Sequence, residues 1–344
     1  MGRMATPQVS TPHPSDVDLV FEGGGIKGIA LVGALSVLTA RGYRAQRVAG
    51  TSAGAIVAAL YVAGYTPEEL RDDLLSFPFS SLRDTGWEDR VPVVGPVLSL
   101  GLDFGLYEGA ALENWVRDRL LRRGVRTFAD LPTFRGQCRL QVVVSDLTER
   151  RILLLPRDAA RLGVSSDELE VAVALRMSAS LPLYFEPVRW HHPRTGREHL
   201  LVDGGLLSNF PVWAFDVPGT PRWPTLGLLL VDEHPRDALG GEPLPPGPGP
   251  IDFLKSLVST ALQARDRQYL ESADFVRTVA IPSLGVGTTE FGLSPERAQA
   301  LYTSGREAAA HFLETWDFEV YVRTFRHGVP PGRRELLVRA LEEG

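Results

Sequence analysis

A serine stands among small residues in GTSAG, residues 50–54. The segment has the GxSxG pattern at a predicted junction of a strand and a helix, where a sharp turn exposes the serine hydroxyl as a nucleophile. Such a turn crowds the positions two before and two after the serine, which explains the missing side chains at Gly50 and Gly54. Ser52 lies at the N-terminus of the predicted helix that follows, AGAIVAALYVA, and the positive end of the helix dipole favours an alkoxide or an oxyanion. A tight turn built from small residues is the alternative interpretation.

Three successive glycines open a second motif, GGGIKG at residues 23–28, directly after a predicted strand. They let backbone N–H groups point into a cavity, where these groups hold an anion or the oxyanion of a tetrahedral intermediate. Gly23, Gly25 and Gly28 also fit the GxGxxG pattern of dinucleotide sites. Such a site expects an acidic residue about 20 positions later, but no aspartate or glutamate occurs between Gly23 and Pro67. A P-loop is disfavoured too, because no Gly-Lys-Ser or Gly-Lys-Thr follows.

The third motif is DGG, residues 203–205, which follows the apolar stretch HLLV. Two glycines after a strand place the carboxylate of Asp203 at the carboxyl edge of the sheet, where open α/β sheets hold their sites. Ser52 is predicted to emerge at the same edge, which would bring the two reactive groups together. An aspartate that initiates a turn is the alternative interpretation.

A serine nucleophile needs a base, and the usual base is histidine. The chain has seven histidines: His13, His191, His192, His199, His234, His311 and His327. His199 is the only one near a motif, but a strand of four residues spans roughly 13 Å and separates it from Asp203. We therefore predict a dyad in which Asp203 takes the proton of Ser52 directly. An aspartate of ordinary pKa is a weak base for this step, so the site must exclude water or rely on the glycine loop to stabilise the oxyanion.

The three motifs lie on alternating strands and helices. VDLVF at residues 17–21 leads into the glycine loop, and a helix-length apolar segment follows up to Gly42. The pattern repeats around GTSAG, and tandem units of this kind predict a parallel sheet in one doubly wound α/β domain. Further helices are predicted near 108–122, 167–177 and 251–271 and from Thr66 and Ser294, strands near 139–145, 151–155, 199–202, 225–231 and 275–281, and a loop at 235–250.

The composition restricts the class of protein. The net charge is −6, and acidic and basic residues are interleaved. There is thus no basic stripe for a phosphate backbone, and no nucleic acid partner is expected. The single cysteine favours a reducing compartment. Residues 1–16 are predicted to be a disordered tail without a signal peptide, and no apolar stretch is long enough to span a bilayer, which predicts a cytoplasmic protein.

The three motifs, in this order, resemble those of the patatin-like phospholipase family. Four further segments are similar to family segments: FGLYEGAALENW, VVVSDLT, ALRMSASLPLYFEPV and LSPERAQALYTSGREAA. The resemblance covers residues 17–316 and leaves 317–344 as a C-terminal extension. It implies a three-layer α/β/α domain with a mostly parallel central sheet. It also implies a serine carboxylic ester hydrolase that cleaves lipid acyl esters through an acyl-enzyme, without metal or cofactor.

The resemblance also assigns roles to residues. It makes Ser52 the nucleophile, Asp203 the base, and the backbone of Gly23, Gly24 and Gly25, with the N–H of Ala53, the oxyanion hole. The residues that support these motifs are Lys27, Gly28, Gly50, Gly54, Gly204 and Gly205. Lys27 stands where many members have arginine, in a chain with only two lysines. It is expected to steady the loop or to meet a lipid phosphate, and a solvated side chain is the alternative.

Two alternatives to a phospholipase remain open: an esterase or thioesterase acting on other acyl esters, and a non-catalytic α/β module that binds anions. The apolar stretch VPVVGPVLSLGL, residues 91–102, suggests a flap that covers the acyl chain or makes peripheral contact with a membrane. Ordinary core packing is the alternative for this stretch. The sequence assigns no oligomeric state.

Overall fold

The computed structural model describes residues 13, 15–77, 109–231, 272–288, 290 and 292–326. The predicted flap at 91–102, the loop at 235–250 and the helix at 251–271 lie outside the described residues, as does most of the predicted tail.

Strands and helices are numbered along the described chain. The strands are β1 Asp16–Phe21, β2 Arg44–Thr51, β3 Thr133–Phe134, β4 Gln137–Cys138, β5 Leu140–Asp146, β6 Arg151–Leu155, β7 Val188–His191, β8 Glu198–Asp203, β9 Thr225–Val231 and β10 Thr278–Pro282. The helices are α1 Gly28–Ala40, α2 Ser52–Val62, α3 Pro67–Ser76, α4 Ala110–Arg122, α5 Val171–Ser178, α6 Gly205–Ser208, α7 Ser272–Val276, α8 Pro295–Thr315 and α9 Phe318–Phe325. Short 3-10 turns include Gly25–Lys27 and Val212–Phe215.

A central, mostly parallel sheet confirms the predicted fold class. Its strands run in the order β10-β9-β1-β2-β5-β8-β7, and β6 also pairs with β5. The neighbours from β10 to β5 are parallel, whereas β6, β7 and β8 pair antiparallel. Every residue of β1 is buried, as expected for a parallel strand covered on both faces.

Different elements pack on the two faces of the sheet. Leu19 and Phe21 of β1 belong to the main core, together with residues of α1, α2 and α8. Val20 points to the other face, where it packs with Phe210, Phe215 and their neighbours in a smaller cluster. Because side chains alternate along a strand, one strand serves both cores. Long helices thus cover one face, and the short segment after Asp203 covers part of the other.

Helices α1 and α8 pack with their backbones in contact. A Cβ atom at Gly33 would overlap the carbonyl oxygen of Tyr302, and one at Gly305 would overlap that of Ala30. The two glycines therefore permit a separation that no side chain allows. This contact holds α8 against the helix that begins at the glycine loop.

Strand β5 explains how two distant segments meet. β6 pairs with Val142–Asp146 along one side of β5. On the other side of β5, β2 pairs with residues up to Val143, which lies opposite Thr51. β8 pairs with residues from Val144 onward, and Val144 lies opposite Asp203. β2 and β8 therefore approach end to end along the same side of β5. Ser52 follows the last residue of β2, so the register itself sets it beside Asp203.

Asp203 lies at the end of an antiparallel strand, whereas most sites at the carboxyl edge of a sheet follow parallel strands. β8 runs antiparallel to β5 and enters the sheet from beyond its carboxyl edge. Asp203 is the last residue of this antiparallel strand, and its carboxylate therefore lies at that edge. His199 lies farther out on the same strand, two residues before Leu201, which pairs with Asp146.

A buried hydrogen-bond network fixes the outer end of β8. His199 Nδ1 donates to Asp146 Oδ2 at 2.7 Å, and both side chains are buried. The other oxygen of Asp146 accepts the N–H of Thr148 at 2.9 Å. The Thr148 hydroxyl in turn accepts the N–H of Leu200 at 3.0 Å. These contacts lock the register of the strand that carries Asp203.

Replacing His199 with alanine is expected to lower the free energy of unfolding by about 3 kcal/mol, because a buried carboxylate loses a donor. Urea unfolding measures the change. The matched control is His311→Ala on the exposed face of α8, where a surface substitution changes stability by at most about 0.5 kcal/mol. Equal stabilities of the two variants would contradict this role for His199.

The predicted strand over residues 275–281 was wrong in its first part. Residues Ser272–Val276 form α7 instead, and the strand begins at Thr278. Arg277 is 2% exposed and donates to Asp216 at 2.6 Å and to Asp274 at 3.1 Å. The helical turn is what returns Asp274 to this guanidinium, because residues three apart share one helix face.

The start of the proposed C-terminal extension packs on the body of the protein. Tyr321 of α9 is buried, and Arg326 donates to Asp216 at 3.2 Å. The rings of Trp316 and Tyr321 lie 5.6 Å apart. The division of the chain at residue 316 stays a prediction.

Candidate active site

Ser52 occupies the turn between β2 and α2. Its φ is 52°, a left-handed conformation that non-glycine residues rarely adopt. A Cβ atom at Gly50 would lie 2.6 Å from backbone atoms of Gly54 and Ala55. One at Gly54 would overlap the carbonyl oxygen of Glu22. The crowding expected of the GTSAG turn is therefore present, together with backbone strain at Ser52 that costs about 1–3 kcal/mol.

Ser178 holds the backbone of Ser52. The N–H of Ser52 donates to Ser178 Oγ at 2.9 Å, and this hydroxyl donates to the carbonyl of Val143 at 2.6 Å. Ser178 is fully buried at the end of α5. Sequence reasoning missed it. The available signal was a polar residue within the apolar run VAVALRMSASLPLYF, since a buried hydroxyl needs a partner.

Asp203 lies against Ser52. The hydroxyl of Ser52 lies beside the carboxylate of Asp203 and acts as a hydrogen-bond donor that lowers its pKa. The N–H of Gly205 donates to Asp203 Oδ1 at 2.7 Å. Burial raises the pKa of Asp203 to about 6, although both hydrogen bonds act to lower it. The carboxylate is therefore a better proton acceptor than an ordinary aspartate and is still mostly ionised at pH 7.

The DGG segment approaches the sheet closely. A Cβ atom at Gly204 would overlap the carbonyl of Val143, the same group that accepts from Ser178. The N–H of Gly204 donates to the carbonyl of Ser178 at 3.3 Å. The missing side chain at Gly204 thus lets the Asp203 segment, the sheet and the Ser178 segment pack together.

The glycine loop lies beside Ser52. The position of a Cβ atom at Gly23 is 3.3 Å from Ser52 Cβ. The N–H of Gly23 is engaged, because it donates to the carbonyl of Asn209 at 3.0 Å. Among the described residues, the N–H groups of Gly24 and Gly25 have no recorded acceptor. Gly25 has a φ of 55° and starts the 3-10 turn that leads into α1.

Two helix N-termini meet next to this loop. The position of a Cβ atom at Gly28, the first residue of α1, is 3.3 Å from the Cβ of Ala53 in the first turn of α2. The positive ends of the α1 and α2 dipoles therefore lie close together, next to Ser52. Lys27, half-buried at the end of the 3-10 turn, adds a cation, and no acidic partner of Lys27 is recorded within the described ranges. The arrangement stabilises negative charge near Ser52.

A family model described as patatin-like phospholipase matches residues 19–216. This stretch is more than half of the 344-residue chain and contains GGGIKG, GTSAG and DGG. The chain belongs to the patatin-like phospholipase family.

The chain is also similar to individual proteins. The uncharacterized protein YqhO of Bacillus subtilis (strain 168) is 36% identical over 305 residues, which cover 88% of this chain and 99% of that protein. A probable lipid hydrolase, 463L of invertebrate iridescent virus 6, is 24% identical over 56% of this chain and 61% of its own length. The crystal structure of VipD from Legionella pneumophila shares the fold, with a TM-score of 0.50 at 15% identity over 94% of this chain and 72% of that one.

The structure places His199 away from Ser52 and Asp203. Its Nδ1 pairs with Asp146, not with Ser52 or Asp203. Of the histidines that the structure describes, none hydrogen-bonds Ser52 or Asp203. Within the described ranges, no group of three or more His, Cys, Asp and Glu side chains could hold a metal ion. Within the described ranges, no helix combines the length and the hydrophobicity of a transmembrane segment.

Proposed function

We propose that this protein hydrolyses acyl esters of lipids, as a phospholipase A or lysophospholipase, through an acyl-enzyme on Ser52 with Asp203 as base. The observation that carries the proposal is the position of the strained Ser52 beside the buried Asp203, next to the N–H groups of Gly24 and Gly25, which have no acceptor among the described residues. A nucleophile, a base of raised pKa and oxyanion donors within one site are the parts that acyl transfer requires.

The reaction proceeds in two half-reactions. Ser52 Oγ attacks the ester carbonyl while Asp203 takes its proton, and the oxyanion is bound by the N–H groups of Gly24, Gly25 and Ala53. Collapse of this intermediate breaks the ester bond, and the leaving alcohol takes the proton from Asp203. Water then attacks the acyl-enzyme with Asp203 again as base. The second collapse releases the fatty acid and returns the proton to the Ser52 oxygen.

The lipid substrate is supported by the family and by the viral relative described as a probable lipid hydrolase. A substrate panel tests it: phospholipid, lysophospholipid, triglyceride, a thioester and a short p-nitrophenyl ester, each with wild type and Ser52→Ala. We expect Ser52-dependent release of fatty acid from the phospholipid or lysophospholipid. Hydrolysis of the short ester or thioester alone would favour the esterase alternative. The absence of Ser52-dependent hydrolysis of every substrate would favour the non-catalytic anion-binding module.

Activity should depend on pH through Asp203. Only the ionised carboxylate accepts a proton, so kcat/KM should fall as the pH drops below about 6, the pKa to which burial raises Asp203. The loss should approach about tenfold for each further pH unit. A soluble short-chain ester is the suitable substrate, with thermal unfolding measured at each pH. The midpoint of the pH profile of kcat/KM should barely move with temperature, as for a carboxyl group. A midpoint near 4, or one that shifts with temperature as imidazole does, would contradict the assignment.

Peripheral membrane contact, cytoplasmic location and independence of metals and cofactors belong to the same proposal. The stretch that suggests membrane contact, 91–102, lies outside the described residues. Liposome flotation of wild type and of a Leu98→Asp variant tests it. Undiminished binding by the folded variant would rule out a role for this stretch in membrane contact.

A further inference from the structure

Asn209 joins the DGG segment to the glycine loop. It is one of only two asparagines in the chain, the other being Asn114. It follows α6, the short helix that starts two residues after Asp203. Its side chain reaches the loop that precedes α1, and a Cβ atom at Gly23 would overlap its Oδ1. One residue thus connects the segment of the base with the predicted oxyanion hole.

Asn209 holds Gly23 through both of its backbone polar groups. The N–H of Gly23 donates to the Asn209 carbonyl at 3.0 Å, and Asn209 Nδ2 donates to the Gly23 carbonyl at 3.0 Å. The second bond has a direct consequence for Gly24. The Gly23 carbonyl and the Gly24 N–H belong to one planar peptide unit and point in opposite directions. Fixing the carbonyl on Asn209 therefore fixes the direction of the Gly24 N–H, which points away from Asn209.

Glu22 sets the orientation of the Asn209 amide. Asn209 Nδ2 donates a second hydrogen bond to Glu22 Oε1 at 3.0 Å. The other carboxylate oxygen accepts the N–H of Leu230 in β9 at 2.6 Å, and Glu22 is buried. An ionised carboxylate accepts hydrogen bonds but has none to donate. Glu22 therefore selects the orientation of the Asn209 amide in which Nδ2 faces it. The same Nδ2 is then the group that faces the Gly23 carbonyl.

We propose that Asn209, oriented by Glu22, is a positioning residue that aims the Gly24 N–H at the developing oxyanion. The role rests on the proposed function. A peptide that is free to rotate must be ordered during the reaction, whereas a fixed one is ready before the substrate arrives. The benefit therefore appears in the transition state and not in substrate binding.

The test compares Asn209→Ala and Glu22→Gln with Asn114→Ala, which removes an exposed asparagine on α4. We expect Asn209→Ala to lower kcat by about 100-fold, the usual cost of a misplaced catalytic group. KM should stay within about threefold, because the lost interaction acts in the transition state. The pH midpoint should not move, because Asp203 is untouched. Glu22→Gln should give a smaller loss of the same type, and Asn114→Ala none.

Thermal unfolding identifies variants that fail to fold, and if Asn209→Ala does not fold, Glu22→Gln decides. A folded variant with wild-type kcat, a loss confined to KM, or a shifted pH midpoint would overturn the positioning role. Those results would leave the proposed function standing, since wild type would still hydrolyse esters in a Ser52-dependent way. A wild-type protein without such hydrolysis would overturn both.

Discussion

Replacing Ser52 with alanine should lower kcat by at least about 10⁴-fold, the scale on which a catalytic serine contributes in serine hydrolases. In the proposed mechanism the acyl group is bound to Ser52 Oγ, and among the described hydroxyls that of Ser52 is the one that acts on Asp203. The variant should fold, because alanine keeps the N–H that donates to Ser178. Initial rates on a short ester and on phospholipid vesicles measure the loss.

The matched control for this variant is Ser36→Ala. Ser36 is a buried serine of α1 whose hydroxyl donates to the Gly33 carbonyl. Its removal deletes a buried hydroxyl that the mechanism does not use, so activity should stay close to wild type. Hydrolysis by Ser52→Ala at more than a few per cent of the wild-type rate would exclude the acyl-enzyme route.

Replacing Asp203 with asparagine should lower kcat by about 10³-fold or more, because the amide cannot take the proton of Ser52. The fold should persist, since the Asn side chain is isosteric and its oxygen can still accept from the N–H of Gly205. The control is Asp158→Asn, which alters a carboxylate that accepts the N–H of Leu154 at 2.7 Å, apart from the dyad. Near-wild-type turnover by Asp203→Asn would refute the dyad.

The same variant should be more stable than wild type at neutral pH. Burial raises the pKa of Asp203 from 3.8 to about 6. As the pH rises between these values, the unfolded chain releases the proton while the folded chain retains it, so wild type loses stability and the asparagine variant does not. At one pKa unit per about 1.4 kcal/mol, the difference reaches about 3 kcal/mol above pH 6. Thermal melts across this range should show the gap opening and then staying constant.

Local motifs predicted the parts of the site that depend on nearby residues. GTSAG specifies its own turn, because the crowding around Ser52 is set by Gly50 and Gly54 within the same segment. The apolar segments at the starts of α1 and α2 likewise predicted buried helices. The parallel part of the sheet followed from these tandem units, and the sequence patterns of β6 and β9 gave their boundaries directly.

Contacts between residues far apart in the sequence could not be predicted from local motifs. The antiparallel direction of β8 depends on its pairing with β5 and on the contact of His199 with Asp146, residues that lie 53 positions apart. The half-exposed strand β7, Val188–His191, carries little apolar signal and was not predicted. Ser178 and Asn209 act through contacts with segments more than 100 positions away, and their residue types alone indicate no partner.

The most direct test of the dyad is covalent labelling with a fluorophosphonate, followed by mass spectrometry of the digested protein. A fluorophosphonate forms a stable adduct only with an activated serine, and its phosphoryl oxygen occupies the oxyanion site. We predict a single adduct on Ser52 in wild type, lost in Ser52→Ala and strongly slowed in Asp203→Asn. An adduct on another serine, or labelling of Asp203→Asn at the wild-type rate, would contradict the proposal that Asp203 activates Ser52.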